Sequence, residues 1–323
     1  MRYFKLLTIV LIMAGLTACE KEISYDDIAP KPLLAVNGLQ HVGEPARLCV
    51  EKSSFYVNTE SDFRVKDVEV DLYVNGVFKE SLRVWDSCYY ETYQNWQTDE
   101  IYQQLRYAFT YCEGDYILAE GDALRFEVRS SEFDETAVAE ITMPSTPNVI
   151  RFDTLRTEED ANGERTVYWA LEIDDPAGED YYNLHPEGGL DGFVSSDPVF
   201  SDFMDLVHVD DLFGNSDYYG RGSYNLFNDA YFDGTRYTVT LKTRLYSYDS
   251  EYYEPFVASV SKVDDGFYQY KKSHNMYESI DNQELLSWFT EPVQVYSNVQ
   301  HGVGVVCAQG QEVTMRLELR GER

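Results

Sequence analysis

The chain has 323 residues, 44% hydrophobic and 15% aromatic, which supplies apolar material for two packed cores and argues against intrinsic disorder. A formal net charge of −31 argues against nucleic acid as a partner, since phosphate has to be met by basic side chains. It argues equally against electrostatic adsorption to anionic lipid.

The first nineteen residues, MRYFKLLTIVLIMAGLTAC, have the layout of a secretory leader. Arg2 and Lys5 form a basic head, residues 6 to 16 are almost wholly apolar, and small residues precede Cys19. The apolar run falls short of the roughly 20 residues a membrane-spanning helix needs. The Leu16-Thr17-Ala18-Cys19 ending resembles the lipobox of bacterial lipoproteins. That resemblance implies a signal peptide over 1–18 and acyl groups on Cys19 that hold the mature chain on the membrane. The competing reading is an ordinary signal peptide with a chance cysteine. Residues 19–30 read as a flexible, acidic tether. Acids directly after the cysteine resemble the signal that sends lipoproteins to the outer face of the outer membrane; a plain spacer, with the protein facing the periplasm, is the alternative. No later segment is apolar for about 18 consecutive residues, so none is expected to span a membrane as a helix.

From residue 31 the pattern is that of short strands. Leu33–Gly38 and Arg47–Glu51 read as the first two. Val68, Val70, Leu72 and Val74 alternate with polar neighbours, Asn75-Gly76 supplies a turn, and Phe78, Leu82 and Val84 return. A period of two on both sides of Asn-Gly is a strong hairpin signal. Leu124, Phe126 and Val128 alternate again, and Val138–Met143 makes a further strand. Residues 87–111, rich in Tyr and Gln, read as a long connection. These elements predict an immunoglobulin-like β-sandwich over 31–146. Pro144-Ser145-Thr146-Pro147 is the expected boundary.

The second half, 147–323, is predicted as a mostly β domain with one amphipathic helix. Val149–Leu155, Thr166–Ile173, Tyr181–Leu184, Tyr237–Leu245 and Val257–Val263 read as strands, whereas 185–235 has loop composition. Phe267, Tyr270, His274, Tyr277 and Ile280 recur at three and four, which suits the helix. Val293–Tyr296, Gly302–Cys307 and Val313–Leu319 are expected as the last strands.

Cysteines other than Cys19 are Cys49, Cys88, Cys112 and Cys307. An exported chain permits disulfides. Four cysteines allow three pairings, among them Cys88–Cys112 within the first half with Cys49–Cys307 across the halves. The absence of any CxxC argues against a zinc ribbon or redox motif.

Several stretches together carry a family resemblance: the lipobox, the Val68–Val84 hairpin with Thr142-Met143-Pro144, Asp174-Asp175-Pro176 with Tyr181-Tyr182, Phe232-Asp233-Gly234, Tyr268-Gln269-Tyr270, and Glu291-Pro292-Val293-Gln294-Val295-Tyr296-Ser297-Asn298-Val299 followed by Gly302-Val303-Gly304-Val305. Along essentially the whole mature chain this resembles the DUF4249 family of Bacteroidetes lipoproteins. The resemblance implies no activity. It implies a setting like that of accessory lipoproteins of TonB-dependent outer-membrane receptors.

Catalytic signatures are missing from the sequence. His41, His185, His208, His274 and His301 do not form HExxH or another ligand spacing. No Gly-x-Ser-x-Gly elbow occurs. Asp174-Asp175 and Asp210-Asp211 are unremarkable in so acidic a chain. Gly302-Val303-Gly304 lacks the lysine and helix of a phosphate loop and reads as backbone bends beside a sheet. Asn228, Asp229 and Asp233-Gly234 offer hard oxygens for calcium, against the simpler reading of an Asp-Gly turn. No cofactor or catalytic residue is expected. Tyr218, Tyr219, Tyr224, Tyr231, Tyr246, Tyr248, Tyr252 and Tyr253 crowd the long loops of the second half and mark a candidate ligand or partner face, with burial in strands as the alternative. The expected function is a non-enzymatic binding or accessory module on the cell surface. An envelope enzyme with a dispersed site and a structural or adhesive surface protein are the alternatives.

Overall fold

The computed structural model describes residues 31–54, 62–94, 101–163, 165–187, 194–195, 204–206, 224–245, 256–281 and 294–317. The leader, Cys19 and the tether lie outside them. The described chain is mainly β. Its first eight strands are β1 (Leu34–His41), β2 (Pro45–Lys52), β3 (Glu69–Val74), β4 (Val77–Ser81), β5 (Arg83–Gln94), β6 (Ile101–Ile117), β7 (Ala123–Arg129) and β8 (Ala137–Thr142). Asn75 and Gly76 both take positive φ, 53° and 77°, as a two-residue hairpin turn between β3 and β4 requires. Leu82 is buried at the corner between β4 and β5, so Val84 starts a strand of a different sheet instead of completing the hairpin.

The remaining elements are β9 (Val149–Glu159), β10 (Arg165–Asp174), β11 (Tyr181–Glu187), β12 (Val194–Ser195), β13 (Met204–Leu206), β14 (Tyr224–Asn228), β15 (Arg236–Leu245), β16 (Phe256–Val263), helix α1 (Asp265–Asp281), β17 (Val306–Gln309) and β18 (Val313–Leu317). One ten-stranded sheet runs β13-β14-β11-β16-β17-β1-β2-β6-β5, with β18 beside β16. A four-stranded sheet, β4-β3-β7-β8, packs on one end of it, and a second, β12-β15-β10-β9, packs on the other. The first core holds Leu48, Leu72, Phe126 and Met143; the second holds Trp169, Tyr182, Phe227 and Leu241. Phe267 and Tyr268 of α1 pack with Tyr181, Val305 and Cys307 in a third cluster.

The two ends meet at β17. It pairs parallel with β1 and touches β16 antiparallel, Val263 opposite Gln309. Its Val306 and Ala308 belong to the first core and its Cys307 to the third. After Pro144–Pro147 the chain enters the strands of the second sandwich, and it later sends β17 back to the first. A cluster of polar contacts fixes this strand. Asn298 clamps Val306, donating to its carbonyl at 2.6 Å and accepting its N–H at 2.9 Å. Asp264 caps α1 by accepting the Phe267 N–H at 3.0 Å, and the same oxygen accepts the Ala308 N–H at 3.0 Å. Gly304, at φ +107°, lies so close to β1 that a Cβ there would collide with the Val36 carbonyl.

Further expectations need correction, among them the loop reading of 185–235, where β14 lies. Residues 87–111 are not a connection but most of the β5–β6 hairpin. Residues 294–299 are irregular, held by side chains instead of a ladder; Val293 lies outside the described residues. Regular pairing expected from Gly302 begins at Val306, although Val303 and Val305 already bond β1 through the backbone. The anticipated disulfides are not formed. Cys88 lies opposite Ala108 and Cys112 opposite Val84, four residues or about 13 Å apart along the ladder. Strand β1 separates Cys49 on β2 from Cys307 on β17, a gap of about 10 Å, whereas a disulfide needs Cα atoms within about 7 Å.

Candidate functional site

Strands β5 and β6 outrun the sheet that supports them. Pairing of β6 with β2 ends at Val50–Thr110, and a single bridge joins Ala108 to Asp62. Beyond that point, Tyr90–Gln94 pairs with Ile101–Leu105 alone among the described residues. The result is a two-stranded arm, a form that is marginal in isolation. Cross-strand rings support it: Tyr93 stacks on Tyr102 at 5.6 Å, and Tyr93 donates to Glu91 at 2.5 Å.

The register places Trp85 opposite Tyr111, Ser87 opposite Phe109 and Tyr89 opposite Tyr107, so these rings share one face of the sheet. They form a stepped contact series. Trp85 lies 4.9 Å from Tyr111, Phe109 lies 6.5 Å from Tyr111 and 5.5 Å from Tyr107, and Phe63 lies 5.3 Å from Tyr107. Tyr107 donates to Glu51. Burial pushes the Glu51 carboxyl above its ordinary range, and burial together with Glu51 pushes the Tyr107 phenol up. On the opposite face the β6 residues Ala108, Thr110 and Cys112 are buried, but Val84 and Cys88 beside them on β5 are exposed. Trp85 is 42%, Tyr89 62% and Tyr90 53% exposed. Strand β5 is therefore uncovered on both faces. Large apolar surface held out in water on a fixed ladder is what a recognition surface needs.

A second grouping lies at the other sandwich. Carboxylate oxygens of Asp175, Asp229 and Asp233 come within 4.8 Å of one another. A hard cation could sit in such a triangle, yet the loops account for it. Asp175 accepts the Tyr182 hydroxyl and the Gly234 N–H at 2.9 Å. Asp229 accepts the Asp180 N–H at 2.9 Å, and Asp233 accepts the Gly178 N–H at 2.8 Å. These bonds tie the 175–180 loop to the 229–235 turn. Buried Lys262 then meets Asp180 at 2.5 Å and balances part of the charge. Burial, with Asp175 and Asp180 nearby, raises the Asp229 carboxyl to about 6. Gly234 has φ +68°, the Asp-Gly turn that is the simpler reading of Asp233-Gly234.

Tyr218, Tyr219, Tyr246, Tyr248, Tyr252 and Tyr253 lie outside the described residues, as do His208 and Asp210-Asp211. The backbone of Tyr224 is in β14, and Tyr231 is 53% exposed beside the Asp-Gly turn. Among the other histidines, exposed His301 meets Glu135 at 3.1 Å, and His274 lies 5.6 Å from the ring of Tyr270 on α1. Burial pushes the Cys112 thiol up to about 12 and raises that of Cys307, which keeps both protonated; Cys88 is the exposed one. Reading the sequence for apolar alternation missed the arm. The available signal was β propensity: Val, Trp, Tyr, Thr and Phe dominate 84–93 and 107–111.

A family model described as "Domain of unknown function (DUF4249)" matches residues 20–314. A search of curated proteins returned no match.

Proposed function

For a chain that belongs to the DUF4249 family, we propose a lipid-anchored binding or accessory module on the exterior of the outer membrane, without enzymatic activity, serving a TonB-dependent receptor. The anchor is the acylated Cys19. Support for it comes from the basic head, the short apolar run and the Leu-Thr-Ala-Cys ending of the leader. A second lipid signal is needed for stable attachment, since one acyl chain binds only marginally. No described helix is long and apolar enough to cross a membrane.

The observation that carries the binding role is the β5–β6 arm with its exposed Trp85, Tyr89 and Tyr90. Aromatic anchors of this size dominate binding energies, at roughly 2 kcal/mol or more each when a partner covers them. The receptor contact is therefore assigned to the arm.

Two measurements test the reading. Mass spectrometry of the mature protein should find acylated Cys19 as its first residue, and Cys19→Ala should release the chain from membranes. Receptor should co-purify from detergent-solubilised membranes and be depleted about tenfold or more by Trp85→Ala with Tyr89→Ala, a loss typical of aromatic anchors. An unmodified start, or equal recovery of receptor with the double variant, would refute the corresponding half.

A further inference from the structure

A strand that ends a sheet offers a row of unpaired N–H and C=O groups, and natural proteins blunt such edges. The described edges are blunted with one exception. β4 is five residues long and carries Lys79. β8 is met by Gln300, whose N–H and C=O both bond Val138. β9 carries Arg151, Arg156, Glu158 and Glu159, and its ladder shifts register twice. β12 and β13 have two and three residues, and β18 has five with Arg316. β5 ends the ten-stranded sheet over twelve residues without a lysine, proline or glycine, and its charges, Arg83, Asp86 and Glu91, are each held in an ion pair. Its single register shift, at Tyr89/Tyr90, leaves Arg83–Tyr89 in regular pairing with β6.

We infer that Arg83–Tyr89 is a docking strand that takes up an extended, basic segment of a partner protein as an added β-strand. The inference rests on the reading of the arm as a binding surface and names how that surface is used. Backbone hydrogen bonds along the open edge supply affinity, and the alternate side chains, Trp85 and Tyr89 on one face and Val84 on the other, supply selectivity. Charge selects the occupant. Arginines around the strand are already engaged by carboxylates: Arg64 by Asp86 at 3.2 Å, Arg83 by Asp115 at 3.1 Å, and Arg106 by Glu91 at 2.5 Å. Arg47 is likewise engaged, by Glu113 at 3.0 Å and Glu44 at 2.6 Å, and Arg64 meets a second carboxylate, Asp62, at 2.6 Å, so these groups hold more acids than arginines. An incoming strand therefore meets acids without a spare cation from these arginines. A second copy of the chain would bring another −31 against this surface, which long-range repulsion disfavours.

The test uses the full chain in detergent and three synthetic ten-residue peptides at up to millimolar concentration. One alternates lysine with valine and threonine. The second replaces lysine by glutamate. The third is the lysine peptide with methyl groups on successive backbone nitrogens, which blocks both of its edges. The lysine peptide should slow amide hydrogen exchange within residues 83–89. The glutamate peptide should bind about tenfold weaker or less, and Asp86→Lys with Glu91→Lys should narrow that preference. The methylated peptide should not compete, because it cannot extend a ladder.

Unchanged exchange at 83–89, or full competition by the methylated peptide, would overturn strand addition. So would a dimer with 83–89 protected in the absence of peptide, since the occupant would then be a second copy. If these fail while Trp85→Ala with Tyr89→Ala still depletes receptor, strand addition falls and the binding role stands. If the double variant also leaves receptor recovery unchanged, the arm is not the contact and both readings fall.

Discussion

Single residues decide how β17 is seated. Gly304 at φ +107° presses on the Val36 carbonyl, so Gly304→Ala has both a clash and a strained backbone to accommodate. It should cost about 3 kcal/mol or more, read as a lower urea midpoint with unchanged slope; a loss under about 1 kcal/mol would mean that the 302–305 backbone yields. Asp264 makes a different prediction. Burial raises its carboxyl to about 7 from an ordinary 3.8, despite two accepted N–H bonds. The folded chain then keeps this proton over a range in which the unfolded chain has lost it. Asp229, raised to about 6, acts in the same sense. Because the native state binds more protons there, stability should fall as pH rises from about 4 to about 7. Asp264→Asn keeps a capping oxygen and cannot ionise, so it should flatten that slope. Urea titrations at both ends of the range check this, and an unchanged slope in the variant would remove Asp264 from the account. Asp264 stands directly before α1 in sequence, but nothing local showed that the same oxygen would also meet Ala308, forty-four residues on.

At the scale of elements, the strands with one wet and one dry face were readable: β3 and β7 alternate in sequence as they do in burial, and β10 does so except at buried Ala170. The outer β5–β6 hairpin was not, because both of its faces are wet and alternation has nothing to sort. Its order rests on cross-strand rings and the ladder. Tyr93→Ala or Tyr102→Ala should therefore loosen only the outer arm, by about 1 kcal/mol or less. Faster hydrogen exchange at 90–94 and 101–105 with an unchanged global transition is the expected result; a global loss would mean that the arm is integral to the first core. The same hairpin register keeps Cys88 from Cys112. A reductant should leave the melting temperature unchanged, and a maleimide should modify Cys88 rapidly and the buried Cys49, Cys112 and Cys307 only on unfolding. A reductant-dependent melt would restore a disulfide.

Over the whole molecule, the shared ten-stranded sheet makes the two sandwiches one mechanical unit at β17. Val306 is wholly buried there in the first core, on a strand whose far neighbour β16 serves the second. Val306→Ala should cost roughly 2 kcal/mol, and exchange should accelerate in β7 and β10 alike. Acceleration in β7 alone would show that the sandwiches unfold independently despite the common strand.

The amino-acid sequence by itself determined the mainly β class, the Asn75-Gly76 hairpin, the amphipathic helix from Phe267 and the family membership. These depend on side-chain period and turn chemistry within a few residues of each other. The tertiary structure alone decided that β17 returns to pair with β1, that Asp175 faces Asp229 and Asp233, and that β5 has no second neighbour among the described residues. Those outcomes depend on which strand finds which neighbour across more than fifty residues, and local hydrophobic pattern carries no record of that choice.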